Sequence, residues 1–219
     1  MNAPMLIASY PRSGSTWLRF ILCNLLYPEI SHDFASVDRH IPYLDHLPMM
    51  KDSIPNPRFY KTHQLHQGQR VVFIHRHVGD VLISEYHYKR KYSGEGRCLL
   101  EYLIADGWGT NWRAHVNHYF PCERSLRFGE IGDPSCLHRV FPGISEEDFR
   151  LAISKSTFDT LQKIESEKGT GLYPGGGNLD IRFIRNGRSG QWREMDKMVQ
   201  DYLIEQNFCQ LKKLGYETS

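Results

Sequence analysis

A short polar loop between an apolar run and a helix-like segment constrains this fold more than any other feature of the chain. Residues 5–8 are apolar and predict a buried strand, whereas residues 17–22 carry apolar side chains with helical spacing. The loop between them reads Ser-Tyr-Pro-Arg-Ser-Gly-Ser-Thr-Trp over residues 9–17. Hydroxyls, a guanidinium and free backbone N–H groups at a helix N-terminus favour an anion. The segment therefore predicts a strand–loop–helix unit that holds a phosphate group.

Apolar runs and helical patterns alternate along the rest of the chain. The run at 71–74 is continuous and largely β-branched, which is typical of a strand buried on both faces of a parallel sheet. The other main predicted elements are two strands and three helical segments, at 58–63, 125–128, 80–91, 97–120 and 195–213. Alternating strands and helices indicate one α/β domain over residues 1–219, with a mainly parallel β-sheet flanked by helices.

Several positions refine this outline. Gly107 and Gly109 predict a break within the long helical segment, and Ser145 with the acidic residues after it predicts a helix start. Residues 28–57 are rich in Pro, Asp and His and predict irregular chain with room for one short helix. Residues 168–178 are rich in Gly and are expected to be mobile.

The composition argues against several classes of protein. The chain is 40% hydrophobic and 24% charged, as in ordinary globular domains, and a net charge of +2 gives no general attraction to nucleic acid or membranes. The five cysteines lack zinc-ligand spacing and predict a reducing compartment. A first strand that begins near Met5 leaves no room for a signal peptide, so we expect a cytoplasmic protein.

Two pairs of histidines have spacings that suit a metal ion, namely His75 with His77 and His115 with His118. Each pair lacks an obvious third ligand. We therefore expect no metal site and interpret these side chains as surface histidines.

The loop at 9–17 differs from the common nucleotide-binding loops. The NTPase pattern Gly-x-x-x-x-Gly-Lys-Ser/Thr occurs nowhere in the chain, and the loop lacks the dinucleotide pattern Gly-x-Gly-x-x-Gly. It resembles instead the 5′-phosphosulfate loop of the sulfotransferases, which reads Tyr-Pro-Lys-Ser-Gly-x-Thr-Trp and binds 3′-phosphoadenosine 5′-phosphosulfate (PAPS). The resemblance implies a P-loop-like sulfotransferase fold in which Trp17 stacks on the adenine ring. It further implies that Gly14, Ser15 and Thr16 hold the 5′-phosphate, and that Arg12 and Ser13 also contact the cofactor.

A second segment of the resemblance follows the strand predicted at 71–74. Arg76, Asp80 and Ser84 are similar to the family's 3′-phosphate element Arg-x-x-x-Asp-x-x-x-Ser. An arginine at the carboxyl end of a strand presents a planar fork that binds an anion at two points. The resemblance implies that Arg76 and Ser84 hold the 3′-phosphate. A structural ion pair between Arg76 and Asp80 is the alternative.

Residues 61–63 read Lys-Thr-His at the end of a predicted strand, and they resemble the segment that supplies the catalytic base of the family. A neutral imidazole accepts a proton at neutral pH. The resemblance implies that His63 takes the proton of the acceptor. It also implies that Arg12, in place of the family's lysine, stabilises the bridging oxygen of the leaving phosphate, with help from Lys61.

The segment 185–192 is similar to the family's C-terminal Arg-Lys-Gly-x-x-Gly-Asp-Trp stretch. Asn186 stands in place of Lys and Gln191 in place of Asp, so one positive charge is lost. The resemblance implies that Arg185, Asn186 and Gly187 close over the 3′-phosphate. A solvated basic loop is the alternative.

Weaker matches concern the adenine ring. Thr157 and Phe158 resemble the family's Ser/Thr-Ser-Phe segment near the adenine, and Phe128 replaces a tyrosine of the family. The resemblance implies that all three contact the nucleotide, whereas simple core packing is the alternative for Phe128 and for Trp17.

The resemblance extends from about residue 6 to residue 192, and the chain is closest to compact bacterial members that modify natural products. It implies a cytosolic-type enzyme that transfers a sulfuryl group from PAPS to a hydroxyl or amine of a small-molecule acceptor and releases adenosine 3′,5′-bisphosphate (PAP). The alternatives are a P-loop-like small-molecule kinase and a catalytically degenerate nucleotide-binding module. The charge balance disfavours a nucleic-acid partner, and the oligomeric state is not assigned.

Overall fold

A parallel β-sheet lies at the centre of the computed structural model, which describes residues 4–45, 54–66, 70–120, 122–171 and 177–218. In these residues its strands are β1 (Met5–Ser9), β2 (Phe59–Thr62), β3 (Val71–His75) and β4 (Ser125–Arg127). They lie in the order β2-β1-β3-β4, and each neighbouring pair is parallel. The predicted α/β fold with a mainly parallel sheet is confirmed.

The register of the strands brings the residues that follow them to one edge. Ala8 of β1 pairs with Thr62 of β2, and Ser9 pairs with Ile74 of β3. Because these strands are parallel, the chain leaves all of them on the same side of the sheet. The predicted phosphate loop, the predicted base and the predicted 3′-phosphate arginine therefore start at a common edge.

Helices flank this sheet. They are α1 (Ser15–Leu26), α2 (Phe34–His40), α3 (Val78–Tyr92), α4 (Leu99–Asp106), α5 (Thr110–Tyr119), α6 (Pro134–Val140), α7 (Glu146–Ser154), α8 (Phe158–Lys168) and α9 (Lys197–Lys213). Short 3₁₀ helices span Phe128–Glu130 and Gln191–Glu194. In the described residues, side chains that accept a backbone N–H of the first turn fix the starts of six helices, at Asp33, His77, Asp133, Ser145, Thr157 and Asp196.

Alternate residues of the buried strands feed two hydrophobic cores, one on each face of the sheet. Ile7 and Val72 belong to the core that includes residues of α1, α2, α6 and α7. Ala8 and Phe73 belong to the core that includes residues of α3, α5 and α9. Because both faces are covered, the strands consist of continuous apolar runs in the sequence.

The predicted break near Gly107 and Gly109 is confirmed, because α4 and α5 are separate helices. These glycines have φ angles of 68° and 89°, and Trp108 between them has a φ of 57°. Two glycines in the left-handed region make this sharp connection possible. The predicted helix start at Ser145 is also confirmed, whereas α6 and α8 were not predicted.

Parts of two expectations lie outside the described residues. Helix α2 is the short helix predicted within 28–57, and residues 46–53 of that segment are not described. Residues 172–176 of the Gly-rich segment are also outside the description. No helix in the described ranges is long and apolar enough to cross a membrane. That residues 1–219 form one domain stays a prediction.

Candidate active site

A cavity of about 630 Å³ lies at the edge of the sheet where the strands end. Most residues proposed from the sequence line its wall: Arg12, Gly14, Ser15, Thr16, Trp17, Lys61, His63, Arg76, Ser84, Phe128, Phe158, Arg185, Asn186 and Gly187. Two proposed residues lie elsewhere. Ser13 is fully buried, and Thr157 is exposed and caps α8.

The loop between β1 and α1 leaves the N-terminus of the helix open. Gly14 precedes α1 with a φ of 108° and offers no side chain to cap it. A Cβ at this position would lie 2.6 Å from Ile131 Cδ1 and 2.7 Å from Phe128 Cδ2, so the position requires glycine. Gly14, Ser15 and Thr16 line the cavity. The uncapped N–H groups and the positive end of the helix dipole therefore make this end of the cavity a site for an anion.

Arg12 places a cation beside that helix end. Its Nε donates to Ser84 Oγ at 3.2 Å, and its Nη2 donates to the carbonyl oxygen of Phe183 at 3.1 Å. Burial and the charge of Arg76 lower the pKa of Arg12 to about 10, so the guanidinium stays charged at neutral pH. Its backbone has a φ of 67°, which is unusual for a residue other than glycine. The loop thus fixes both the backbone and the side chain of Arg12.

His63 lies directly after β2, and its ring is held by β1. Its Nδ1 lies 2.6 Å from the carbonyl oxygen of Ser9, so this nitrogen carries the proton and donates it. Burial and the nearby charge of Lys61 hold the pKa of His63 well below its ordinary value. The ring is therefore neutral at pH 7 with a lone pair at Nε2, which makes it able to accept a proton.

Asp45 fixes the main chain around His63. The hydroxyl of Thr62 donates to Asp45 Oδ2 at 2.9 Å, and the backbone N–H of His63 donates to the same oxygen at 3.3 Å. Oδ1 of Asp45 lies 3.0 Å from His66 Nε2. Asp45 was not predicted from the sequence, because it lies in an irregular segment that has no motif.

Lys61 lies on the cavity wall beside a half-buried ion pair. Its side chain is buried, with Nζ 4.2 Å from the centre of the Tyr43 ring. Burial and repulsion from Arg19 hold the pKa of Lys61 well below its ordinary value. Arg19 donates to Asp38 Oδ1 at 2.5 Å, and both residues line the cavity. Neither was identified from the sequence, since a pair that joins two helices carries no local signature.

Arg76 follows β3 and points its guanidinium toward the loop. Its Nη2 donates to the carbonyl oxygen of Arg188 at 2.8 Å, and its Nη1 donates to that of Arg12 at 3.3 Å. Its Nε is buried, lies 4.0 Å from Asp80 Oδ2 and forms no hydrogen bond with any described group. Burial lowers the pKa of Arg76 to about 10. A buried cationic donor without an acceptor is a group that an anion satisfies.

Asp80 joins the start of α3 to the segment 185–192. Its Oδ2 accepts the backbone N–H of Gly190 at 2.7 Å, and its Oδ1 accepts that of Trp192 at 3.2 Å. The ion pair between Arg76 and Asp80, which the sequence left as an alternative, is therefore only a long contact of 4.0 Å. The shorter bonds of Asp80 hold the two predicted 3′-phosphate elements together.

Gln191 and Asn186, the two departures from the family's C-terminal stretch, contact each other. Gln191 Oε1 accepts a hydrogen bond from Asn186 Nδ2 at 3.3 Å and another from Arg185 Nη2. Gly187 has a φ of 62°, and a Cβ there would lie 2.4 Å from Phe158 Cζ. The segment therefore packs its backbone directly on the Phe158 ring at the cavity wall.

Three aromatic rings line the cavity near α1 and α8. The centre of the Trp17 ring system lies 4.9 Å from that of Phe158 and 5.9 Å from that of Phe128. The indole N–H of Trp17 donates to the carbonyl oxygen of Ser156 at 2.8 Å, which fixes the ring orientation. Phe128 is only 5% exposed and belongs to the core, but its ring also lies 4.1 Å from the guanidinium carbon of Arg76. Phe128 therefore packs in the hydrophobic core and also lines the cavity.

The interpretation of His75, His77 and His115 as surface histidines was wrong. All three are buried, because His75 ends the central strand β3, His77 caps the start of α3, and His115 of α5 packs against Phe73 of the sheet. His75 Nδ1 lies 3.0 Å from the hydroxyl of Tyr216, and the His77 ring stacks on Trp192 with centres 4.3 Å apart. In the described part of the chain, no group of three or more metal-ligating side chains comes together.

Comparison with known proteins gives a family for this arrangement. The family profile described as "Sulfotransferase domain" matches residues 2–129, which is more than half of the chain. The chain belongs to the sulfotransferase family. Cytosolic sulfotransferase 1 of Danio rerio is 30% identical over 257 residues and covers 95% of this chain and 82% of its own length. Sulfotransferase 1A1 of Bos taurus is 25% identical over 243 residues, and the match covers 94% of this chain and 82% of the bovine protein. The expectation of a sulfotransferase enzyme is confirmed.

Solved sulfotransferase-like structures share the fold. Retinol dehydratase in complex with androsterone and the inactive cofactor PAP superposes with a TM-score of 0.73 at 20% identity, covering 95% of this chain and 80% of its own. A mouse sulfotransferase complexed with PAP gives a TM-score of 0.65 at 15% identity, and the match covers 97% of this chain and 88% of the mouse protein. At these identities the likeness establishes the fold, and the predicted sulfotransferase fold is confirmed.

Proposed function

We propose that this chain transfers a sulfuryl group from PAPS to a hydroxyl or amine of a small-molecule acceptor. The observation that carries the proposal is the 2.6 Å contact between His63 Nδ1 and the Ser9 carbonyl oxygen, on the wall that also holds Arg12. Sulfuryl transfer removes a proton from the acceptor and leaves negative charge on the departing phosphate. A neutral base and a fixed cation in one cavity suit those two demands.

The cavity fits a nucleotide that carries phosphate at both ends. Near Arg12, the uncapped start of α1 offers backbone N–H groups to a 5′-phosphate. The unsatisfied Nε of Arg76 offers a charged donor to a 3′-phosphate, and Arg185 extends the same wall. Trp17 and Phe158 offer apolar faces to an adenine ring. Two structural neighbours solved with PAP support this choice of nucleotide.

In the proposed reaction, His63 Nε2 accepts the proton of the acceptor O–H or N–H. A bond forms between the acceptor atom and sulfur while the bond from sulfur to the bridging oxygen of PAPS breaks in line with it. The electron pair of the broken bond stays on that oxygen, and PAP leaves. Arg12 stabilises this charge and does not donate a proton, because its guanidinium stays cationic at neutral pH. Lys61 adds a second cation or donor on the same wall.

Family membership leaves the small-molecule kinase with little support, and the chain lacks the Gly-Lys-Ser/Thr of that class. A catalytically degenerate module would not need a general base. The contact that orients His63 on the Ser9 carbonyl oxygen therefore favours an active enzyme.

Structural neighbours solved with androsterone and retinol support a small-molecule acceptor. Relatives named cytosolic sulfotransferases support a cytoplasmic location.

A thermal-shift titration with PAP, ATP and AMP tests the nucleotide site. A ligand that binds only the folded state raises stability by RT ln(1 + [L]/Kd). We expect a clear rise in Tm with PAP and little with AMP. A preference for ATP would favour the kinase, and no shift with any nucleotide would favour the degenerate module. Labelled PAPS with a panel of phenols, alcohols and amines then tests transfer directly.

A further inference from the structure

The guanidinium of Arg12 is surrounded on several sides by the protein. Its carbon lies 4.4 Å from the centre of the Phe183 ring and 5.1 Å from that of Tyr88, in addition to its hydrogen bonds to Ser84 and to the Phe183 carbonyl oxygen. A planar guanidinium gains from aromatic faces in a way that a lysine ammonium does not. Phe183 thus contributes both a ring and a carbonyl oxygen to the position of Arg12.

Phe183 itself lies in a segment without helix or strand, so its place depends on side chains from other elements. Glu165 of α8 supplies the main contact. Its Oε1 accepts the backbone N–H of Phe183 at 2.6 Å, and its Oε2 accepts that of Ile184 at 2.8 Å. Both carboxylate oxygens are therefore used to hold two consecutive backbone groups.

Lys91 at the end of α3 completes this anchor. Its Nζ donates to the carbonyl oxygen of Ile181 at 2.5 Å and lies 3.7 Å from Glu165 Oε1. The side chains of Lys91 and Glu165 are only 6% and 10% exposed. A buried ion pair repays its desolvation only when further hydrogen bonds satisfy both groups, as they do here. Neither side chain belongs to the cavity wall given above.

We propose that Glu165 and Lys91 are positioning residues for the transfer step, which act on Arg12 through Phe183. This inference rests on the proposed function, in which Arg12 stabilises the leaving phosphate. Loss of the Glu165 carboxylate leaves two backbone N–H groups without an acceptor, so the segment moves and Arg12 loses its ring and carbonyl contacts. A displacement of about 1 Å at a reacting group costs roughly 100-fold in rate.

A double-mutant cycle with Arg12→Lys tests the path of the effect. We expect Glu165→Ala to lower kcat about 10- to 100-fold in the wild-type background. In the Arg12→Lys background, the same substitution should cost less than about threefold. Equal losses in both backgrounds would overturn the proposal. Glu167→Ala is the matched control, since Glu167 lies on the same helix with a side chain 56% exposed.

A second readout does not depend on activity. The Nε–H of Arg12 donates to Ser84 in this structure, so its ¹⁵N resonance and its exchange with solvent report the position of the side chain. We expect Glu165→Ala to accelerate this exchange at least tenfold in the protein without nucleotide, and Glu165→Gln to do so less. An unchanged Arg12 signal would refute the inference. Failure of PAP to bind the wild-type protein would refute the proposed function instead, and the two failures are thus distinct.

Discussion

The Nδ1 atom of His63 lies 2.6 Å from the carbonyl oxygen of Ser9, and this contact selects the tautomer with a basic Nε2. We expect His63→Ala to lower turnover by about two to four decades, because the acceptor loses its general base. The rise in Tm caused by PAP should be unchanged. His138→Ala is the control, since His138 contacts the carbonyl oxygen of Ile144 and is not part of the cavity wall. Near-normal turnover of His63→Ala would remove the residue from the mechanism.

The pH dependence of turnover should also report on His63. Burial and Lys61 hold the pKa of this ring well below its ordinary value, so the ring stays neutral as the pH falls through 6.5. We therefore expect kcat/KM to stay flat between about pH 8 and pH 6 and to fall only in more acidic solution. The measurement uses an acceptor that does not titrate in this range. A midpoint at or above the pKa of a free histidine would contradict the assignment.

Arg76→Ala should weaken the binding of nucleotides that carry a 3′-phosphate more than the binding of nucleotides that lack it. The substitution removes the buried Nε that has no acceptor in the described structure. A charge-assisted hydrogen bond contributes about 1.5–3 kcal/mol, so we expect the Kd for PAP to rise about 10- to 100-fold. The Kd for AMP should change less than about threefold. Isothermal titration measures both, with Arg193→Ala as control, since Arg193 pairs with Glu217 and is 51% exposed. Equal weakening of PAP and AMP would show that the site is wrongly assigned.

Buried neutral histidines should make the fold sensitive to acid. Burial lowers the pKa of His75 to about 4 and that of His77 to about 3, whereas both titrate near 6.5 in the unfolded chain. The unfolded state therefore binds more protons below pH 6.5, and the free energy of unfolding falls as the pH drops from there toward these values. Each histidine contributes a slope of up to about 1.4 kcal/mol per pH unit.

A variant isolates one of these slopes. His77→Phe keeps a ring that stacks on Trp192 but removes the titrating group, although it loses the cap to the Gly79 N–H. Urea unfolding between pH 6.5 and pH 4.5 should show a smaller loss of stability for this variant than for the wild type. Parallel curves for the two proteins would show that His77 does not drive the acid sensitivity.

The strands could be predicted because each is encoded by local sequence. The same holds for the three segments that follow them, namely the loop at 9–17, residues 61–63 and the segment that starts at Arg76. The apolar run at 71–74 predicts a buried strand, and Arg76 after it must then emerge at the carboxyl edge. Parallel pairing brings His63 and the loop to that same edge without further information. The parallel sheet and the residues that meet at this edge follow from these few segments.

What the sequence did not predict depends on contacts between distant irregular segments. The bonds from Glu165 to the backbone of Phe183 and Ile184 join a helix to a segment without periodicity. Likewise, Asp45 reaches the backbone of His63 from a stretch that carries no motif. Such contacts depend on how the elements pack in three dimensions, and no spacing of residue types in the sequence predicts them.

The hydrogen bond between Asn186 and Gln191 has an evolutionary consequence. A change of Asn186 alone to lysine would place a second cation beside Arg185 at one neutral amide oxygen. A change of Gln191 alone to aspartate would remove the amide N–H that Gln191 donates to the carbonyl oxygen of Arg188 at 2.7 Å. Each single step toward the family pattern therefore disturbs a pair that now fits. Among close homologues of this chain, the two positions should covary, and the double exchange should be milder than the sum of its parts.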